Sequence, residues 1–131
     1  MAAGLVSVLA MSVTTSAEDT SPVEQAGRSD YLQYCASCHG TEGHGDGPAT
    51  AALATPAPDL TLVAARRDGE FPVDELSMLI DGRTQTAAHG SRQMPVWGER
   101  FTVEAGNDDM AAQIVRGRIR MLLAYLRSIQ R

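Results

Sequence analysis

The feature that most constrains this chain is the run Cys35-Ala36-Ser37-Cys38-His39. Two cysteines separated by two residues and followed at once by a histidine form the attachment pattern of a c-type haem. Each thiol can add to one vinyl group of the porphyrin, and the short gap matches the separation of the two vinyls. The imidazole of His39 can then bind the iron as proximal ligand. The motif therefore predicts one haem held covalently by Cys35 and Cys38.

Two other classes of protein site also use a Cys-x-x-Cys pair. A structural zinc site needs four protein ligands, and since the chain has only two cysteines, His44 and His89 would have to complete it. A thioredoxin-like dithiol needs a βαβ context, whereas strand signals are almost absent here. Both alternatives agree with fewer features of the sequence than haem attachment does.

The chain has 131 residues, a length typical of one domain. Residues 1–17 are apolar, uncharged and rich in small side chains, and they precede Glu18 and Asp19. This pattern predicts a secretory signal peptide cleaved after Ala17, although it lacks the usual basic start. An uncleaved membrane anchor is the alternative, but the stretch is short and weakly apolar for a span. We therefore expect residues 18–131 to form a single exported domain, in the periplasm and with no membrane span.

The charge pattern is uneven. The formal net charge is −5 and every basic residue is arginine, yet the segment from Arg116 to Arg131 carries five arginines and no acid. An acidic redox protein is expected to dock on a basic patch of its partner. Nothing in the composition indicates a nucleic-acid partner.

Helical patterns dominate the chain. Ser21-Pro22-Val23-Glu24 predicts the start of a helix that runs to about Cys35. Glycines and prolines predict a loop over 40–58, followed by short helices over 60–67 and 72–82. Residues 83–100 read as an irregular segment, and an apolar stripe predicts a final helix over 107–130. The fold class is therefore all-α, small and rich in loops.

Several motifs together resemble the bacterial monohaem class I cytochromes c. The resemblance covers nearly all of the predicted mature chain, and the motifs that carry it are Cys35-x-x-Cys38-His39-Gly40, Gly45-Asp46-Gly47-Pro48, Pro58-Asp59-Leu60-Thr61, Ile80-Asp81-Gly82, Met94-Pro95-Val96-Trp97-Gly98 and Ala124-Tyr125-Leu126-Arg127-Ser128-Ile129-Gln130. It implies a small cytochrome c fold, four or so helices with long loops around one covalently bound haem.

The resemblance also implies a sixth ligand to the iron. Met94 is the expected ligand, since its soft, neutral thioether favours ferrous iron and Pro95 stiffens the loop that carries it. His89 is the rival, and an open coordination site is a third possibility.

Further roles follow from the same resemblance. The carbonyl of Pro48 is expected to accept a hydrogen bond from His39. Trp97 is expected either to donate its indole N–H to a haem propionate or to pack against the haem, and Arg83 or Arg92 could pair with the propionate. Gly27 and Tyr31 are expected at a close crossing with the last helix, against Leu122, Tyr125 and Leu126.

The function implied is one-electron transfer by a periplasmic carrier with His/Met axial ligation, rather than bond-making catalysis. Its partners would be redox proteins, and the molecule would be a monomer or a subunit of a redox complex. A haem c subunit of a larger dehydrogenase, nitrite reductase or oxidase remains open as an alternative. A haem peroxidase or sensor is a weaker one, since it needs an open coordination site.

Overall fold

The computed structural model describes residues 20–83 and 93–131, and within these ranges every regular element is helical. The α-helices are α1 (Pro22–Tyr34), α2 (Ala36–His39), α3 (Val73–Asp81), α4 (Trp97–Glu104) and α5 (Ala111–Ser128), and single 3-10 turns cover Thr50–Ala52, Leu60–Leu62 and Ala65–Arg67. The all-α prediction is confirmed. The predicted signal peptide over 1–17, His89 and Arg92 lie outside the described residues.

Helix α1 begins as its local sequence predicts. The Ser21 hydroxyl accepts from the N–H of Glu24 at 3.2 Å, and the Glu24 carboxylate accepts from the N–H of Ser21 at 2.9 Å. This reciprocal pair satisfies two N–H groups that would otherwise lack intrahelical partners. Pro22 occupies the first turn, where it loses no helical hydrogen bond.

The core is built where α1 crosses α5. A Cβ atom on Gly27 would overlap the carbonyl oxygen of Met121, so the two backbones approach as closely as only glycine allows. One turn later, the buried ring of Tyr31 lies 5.1 Å from that of Tyr125, centroid to centroid. The predicted crossing is therefore present, with Met121 as an additional close neighbour. It fixes the direction in which α1 delivers the cysteine motif.

Two elements differ from the sequence prediction. The helix expected over 60–67 is a pair of 3-10 turns. The Asp59 carboxylate caps the first turn by accepting from the N–H of Thr61 at 2.9 Å. The side-chain oxygen of Gln130 accepts from the N–H of Ala64, also at 2.9 Å. Helix α4 begins at Trp97, inside the segment expected to be irregular, and no side chain caps its first turn.

The last helix is shorter than expected. Asn107 does not cap it, because this residue has a left-handed backbone with φ 57°. Asp108 accepts instead from the N–H groups of Met110 and Ala111, both at 3.0 Å, and α5 begins at Ala111. Across the two described ranges, we find no helix with the length and apolar character needed to cross a membrane.

Candidate haem-binding site

The cysteine motif occupies one tight helical turn. Cys35 ends α1 by donating its N–H to the Tyr31 carbonyl at 2.9 Å, and it also precedes α2. The Cys35 carbonyl then accepts from the N–H groups of Cys38 and His39, at 3.1 and 2.9 Å. Residues three and four apart on a helical turn are neighbours, so the turn brings both thiols and the imidazole together. Neither cysteine forms a disulfide.

Burial favours an uncharged sulfur at Cys35. Burial, the nearby carboxylate of Asp30 and the thiol of Cys38 raise the pKa of the Cys35 thiol to about 12. A thiolate at this position would lose solvation and meet negative charge. A neutral sulfur, as in a thiol or a thioether, is what the site stabilises.

His39 is oriented by a backbone carbonyl. Its Nδ1 lies 3.2 Å from the carbonyl oxygen of Pro58. A carbonyl can only accept, so Nδ1 carries the proton and Nε2 keeps the lone pair that a metal requires. Burial lowers the pKa of His39, and the bond to Pro58 opposes this only in part. The imidazole is thus held neutral and in the tautomer of a metal ligand.

The acceptor is Pro58 and not Pro48, which corrects the sequence prediction. Gly47 donates its N–H to the Cys38 carbonyl at 3.1 Å, and a Cβ on Gly47 would meet the Ser37 carbonyl oxygen at 2.5 Å. This contact presses the Gly47–Pro48 turn against the backbone of α2 and leaves Pro48 exposed. Pro58 reaches the imidazole instead.

Hydrogen bonds of Leu60 and Thr50 hold the loop that carries Pro58, and sequence reasoning missed them. Leu60 donates its N–H to the Gly43 carbonyl at 2.7 Å, which draws the residues after Pro58 onto the loop that follows His39. The Thr50 hydroxyl lies 2.8 Å from the Cys38 carbonyl and 3.0 Å from that of Gly45, joining the far part of the loop to α2. The Pro58-Asp59-Leu60 motif was a visible signal, whereas nothing local marked Thr50.

Met94 lies in the segment just before α4, and Trp97 is the first residue of that helix. Met94 is half-buried and packs against the hydrophobic core. Trp97 is buried, and its ring lies 5.5 Å from Tyr34 and 5.9 Å from Phe101, centroid to centroid. Arg83, a candidate propionate partner, pairs with Asp81 at 2.8 Å.

Trp97 supplies a test of whether a haem fits. Its indole Nε1 is buried and has no hydrogen-bond partner among the described residues. Buried indole N–H groups normally have an acceptor, so this donor fits a carboxylate brought by a bound group. Together with the two free thiols and the oriented imidazole, it makes the site compatible with a haem.

The zinc alternative finds no support in the same ranges. Within residues 20–83 and 93–131, no group of three or more His, Cys, Asp or Glu side chains is arranged to hold a metal ion. Within these described residues, the pair Cys35 and Cys38 is thus without the further ligands that a structural zinc site requires, and His89 lies outside them.

Comparison with known proteins agrees with a c-type cytochrome. A family model described as cytochrome c oxidase, cbb3-type, subunit III matches residues 22–113. The chain belongs to this family of cytochrome c domains, and a cytochrome c domain carries haem c and transfers electrons. No curated protein and no solved structure was found to match the chain.

Proposed function

We propose that the protein is a periplasmic one-electron carrier with one haem c, attached through thioethers at Cys35 and Cys38 and ligated by His39 and Met94. The observation that carries the proposal is the 3.2 Å contact between Nδ1 of His39 and the Pro58 carbonyl, on the turn that holds both cysteines. An imidazole fixed by such an acceptor is a stronger and better oriented ligand than a free one.

The haem, when bound, supplies the iron that alternates between ferric and ferrous. The chain's own residues keep the surroundings similar in both states. Burial lowers the pKa of His39 and so favours the neutral imidazole, while the Pro58 carbonyl fixes the ring's tautomer and orientation. Met94 would add a neutral sulfur, which favours the ferrous state and raises the potential. With both axial positions filled, binding of an outside substrate to the iron is not expected, so we propose electron transfer without bond-making catalysis.

Trp97 is proposed to donate its indole N–H to a propionate. The buried Nε1 without a partner among the described residues supports this role. The hydrogen bond would fix one propionate and offset part of its charge in a buried setting.

Electrons are proposed to leave and enter near Cys38. The neighbouring segment 47–58 has no charged side chain, and Ala51, Ala52 and Ala54 within it are exposed. Small uncharged side chains allow a partner to approach closely at little desolvation cost. The net charge of −5 supports a partner with a basic patch around this contact.

Export and domain limits complete the proposal. Cleavage after Ala17 agrees with the export typical of cytochrome c domains. The mature chain, residues 18–131, would then be a single domain. N-terminal sequencing of the mature protein tests the cleavage site.

A second candidate is a permanent haem c subunit of a larger redox enzyme. The observation that favours it is the matched family, whose description names a subunit of a cbb3-type oxidase. A monodisperse monomer after mild solubilisation of the source membranes would support the free carrier. Stable co-purification with other redox subunits would support the second candidate.

A reductive titration followed by optical spectroscopy tests the ligation. The wild type should show a low-spin spectrum and, in the ferric state, the weak charge-transfer band of an iron–thioether bond. The variant Met94→Ala should lose that band and bind added cyanide faster, while Met78→Ala, at an exposed methionine on α3, should keep the wild-type spectrum. A band that survives in Met94→Ala would show that Met94 is not the ligand.

A further inference from the structure

Three arginines on α5 lie on one side of the helix and have no ionic partner among the described residues. Arg116, Arg120 and Arg127 are separated by four and seven residues, a spacing that repeats at helical turns. All three are exposed, and none pairs with an acid within 20–83 and 93–131. Arg118, on the same helix, points elsewhere and pairs with Asp30 and Glu104. The row thus places three positive charges together on a protein whose formal net charge is −5.

A groove of about 350 Å³ lies between this row and α3. Val73, Leu123 and Ala124 contribute apolar side chains to its wall, and Arg120 and Arg127 contribute charged ones. Val73 is 40% exposed although it is apolar. The groove therefore combines an apolar recess with two positive charges that no acid of the described ranges pairs with.

Glu24 also lines the groove and offsets only part of its positive charge. Its carboxylate already accepts from the N–H of Ser21 in the cap of α1, at 2.9 Å. Two arginines against one acid leave a net positive charge in the lining of the groove, and the cap hydrogen bond fixes the position of the Glu24 carboxylate.

We propose that this groove docks an acidic segment of a protein partner, with one apolar side chain of that segment in the recess and carboxylates on Arg120 and Arg127. Charge complementarity selects an acidic partner, and arginine pairs well with carboxylates. The concave shape favours an inserted side chain over the flat surface of a membrane.

The position of the groove separates this contact from the proposed electron-transfer edge. Glu24 precedes Cys35 by eleven residues along α1, about 16 Å at the rise of an α-helix. A partner held in the groove would leave the loop beside Cys38 open. The inference goes beyond the proposed function and holds whichever side chain is the sixth ligand of the iron.

The test uses the isotope-labelled holoprotein and the synthetic peptide acetyl-EDELLEDE-amide, followed by amide chemical shifts. We expect saturable shifts at Val73, Leu123 and Ala124. The dissociation constant should rise at least about tenfold in Arg120→Gln/Arg127→Gln. The matched control Arg66→Gln/Arg67→Gln removes the same charge from a 3-10 turn that does not line the groove, and it should stay within about twofold of wild type.

Two further peptides separate charge from apolar insertion. Replacing every acid by lysine should abolish binding, and replacing both leucines by serine should weaken it. Equal affinity of the groove variant and the control variant, or shifts confined to residues outside the groove, would overturn the proposal. Binding to vesicles of anionic phospholipid without peptide binding, or self-association that the groove variant loses, would also overturn it, in favour of a lipid or of a second copy. Thermal melts and the visible spectrum show that each variant is folded.

Discussion

Gly27 on α1 and Met121 on α5 are in backbone contact, and a single added methyl group at Gly27 would overlap the Met121 carbonyl oxygen. This contact sets the distance between the two helices that form the core. Since α1 leads directly into the cysteine motif, the same contact also sets where the haem-attachment turn lies.

Substitution of Gly27 should therefore be costly. Gly27→Ala forces one backbone away from the other and should lower the free energy of unfolding by about 3 kcal/mol. Urea denaturation of the holoprotein measures the effect. Gly117→Ala, in the middle of α5, is the matched control, because a Cβ there meets nothing within 4 Å beyond its chain neighbours and the backbone of its own helix. It should stabilise by about 0.5–1 kcal/mol, and equal destabilisation by both variants would contradict the close crossing.

Arg118 should matter through its partly buried contacts. Its guanidinium lies 2.7 Å from carboxylate oxygens of Asp30 and Glu104 and 4.1 Å from the centroid of Phe101. Arg118→Met leaves Asp30 without its partner and should cost about 2–3 kcal/mol of unfolding free energy. Arg116→Met removes the same charge from an exposed position and should change stability by less than about 0.5 kcal/mol. A similar loss in both variants would show that net charge, and not the pairing of Asp30, is responsible.

Stability at acid pH should depend on Glu104. Hydrogen bonds from Arg118, and in smaller part from Tyr34 and Arg100, hold the pKa of Glu104 below its usual 4.5 in the folded protein. The ionised carboxylate therefore stabilises the fold above the unfolded-state pKa, and this contribution disappears as pH falls through the lowered folded-state pKa.

Unfolding free energies measured from pH 7 to pH 3 check this dependence. The gap between wild type and Glu104→Gln should be largest near neutral pH and should close in acid. Glu99→Gln, at an exposed acid on the same helix, should follow the wild-type curve throughout. A gap that stays constant with pH would contradict the assignment.

Trp97→Phe separates the indole donor from the packing of the ring. Phenylalanine retains contact with Tyr34 and Phe101, so stability should fall by less than about 1.5 kcal/mol. The loss of the N–H should change the midpoint potential and its pH dependence, because a propionate would lose its donor. Phe101→Leu changes the same aromatic cluster without touching a donor and should leave the pH dependence as in wild type. An unchanged potential in Trp97→Phe would show that the indole acts by packing alone.

Local signals in the sequence were sufficient for α1 and for the attachment turn. Ser21, Pro22 and Glu24 determine the start of the helix through contacts within three residues, and the Cys-x-x-Cys-His spacing determines the turn. The crossing of α1 and α5 was expected from the resemblance to class I cytochromes c, which implies that Gly27 and Tyr31 meet the last helix.

Local sequence signals could not predict which carbonyl accepts the hydrogen bond from His39. Pro48 and Pro58 are both prolines in the loop after the motif, and their order along the chain does not say which carbonyl reaches the imidazole. The choice depends on the contacts of Leu60 with Gly43 and of Thr50 with Cys38, which join distant residues. Helix α4 was missed for a related reason, since no capping side chain marks its start and packing of Trp97 and Phe101 holds it in place.

The most direct test of the account is the mass of the mature protein after extraction with acidified acetone. Protein matured in cells that export and assemble c-type cytochromes should keep its pigment through the extraction. Its mass should exceed that of the polypeptide by one haem, and Cys35→Ala/Cys38→Ala should lose both pigment and added mass. A colourless wild-type protein, or pigment that passes into the acetone, would contradict covalent attachment at Cys35 and Cys38.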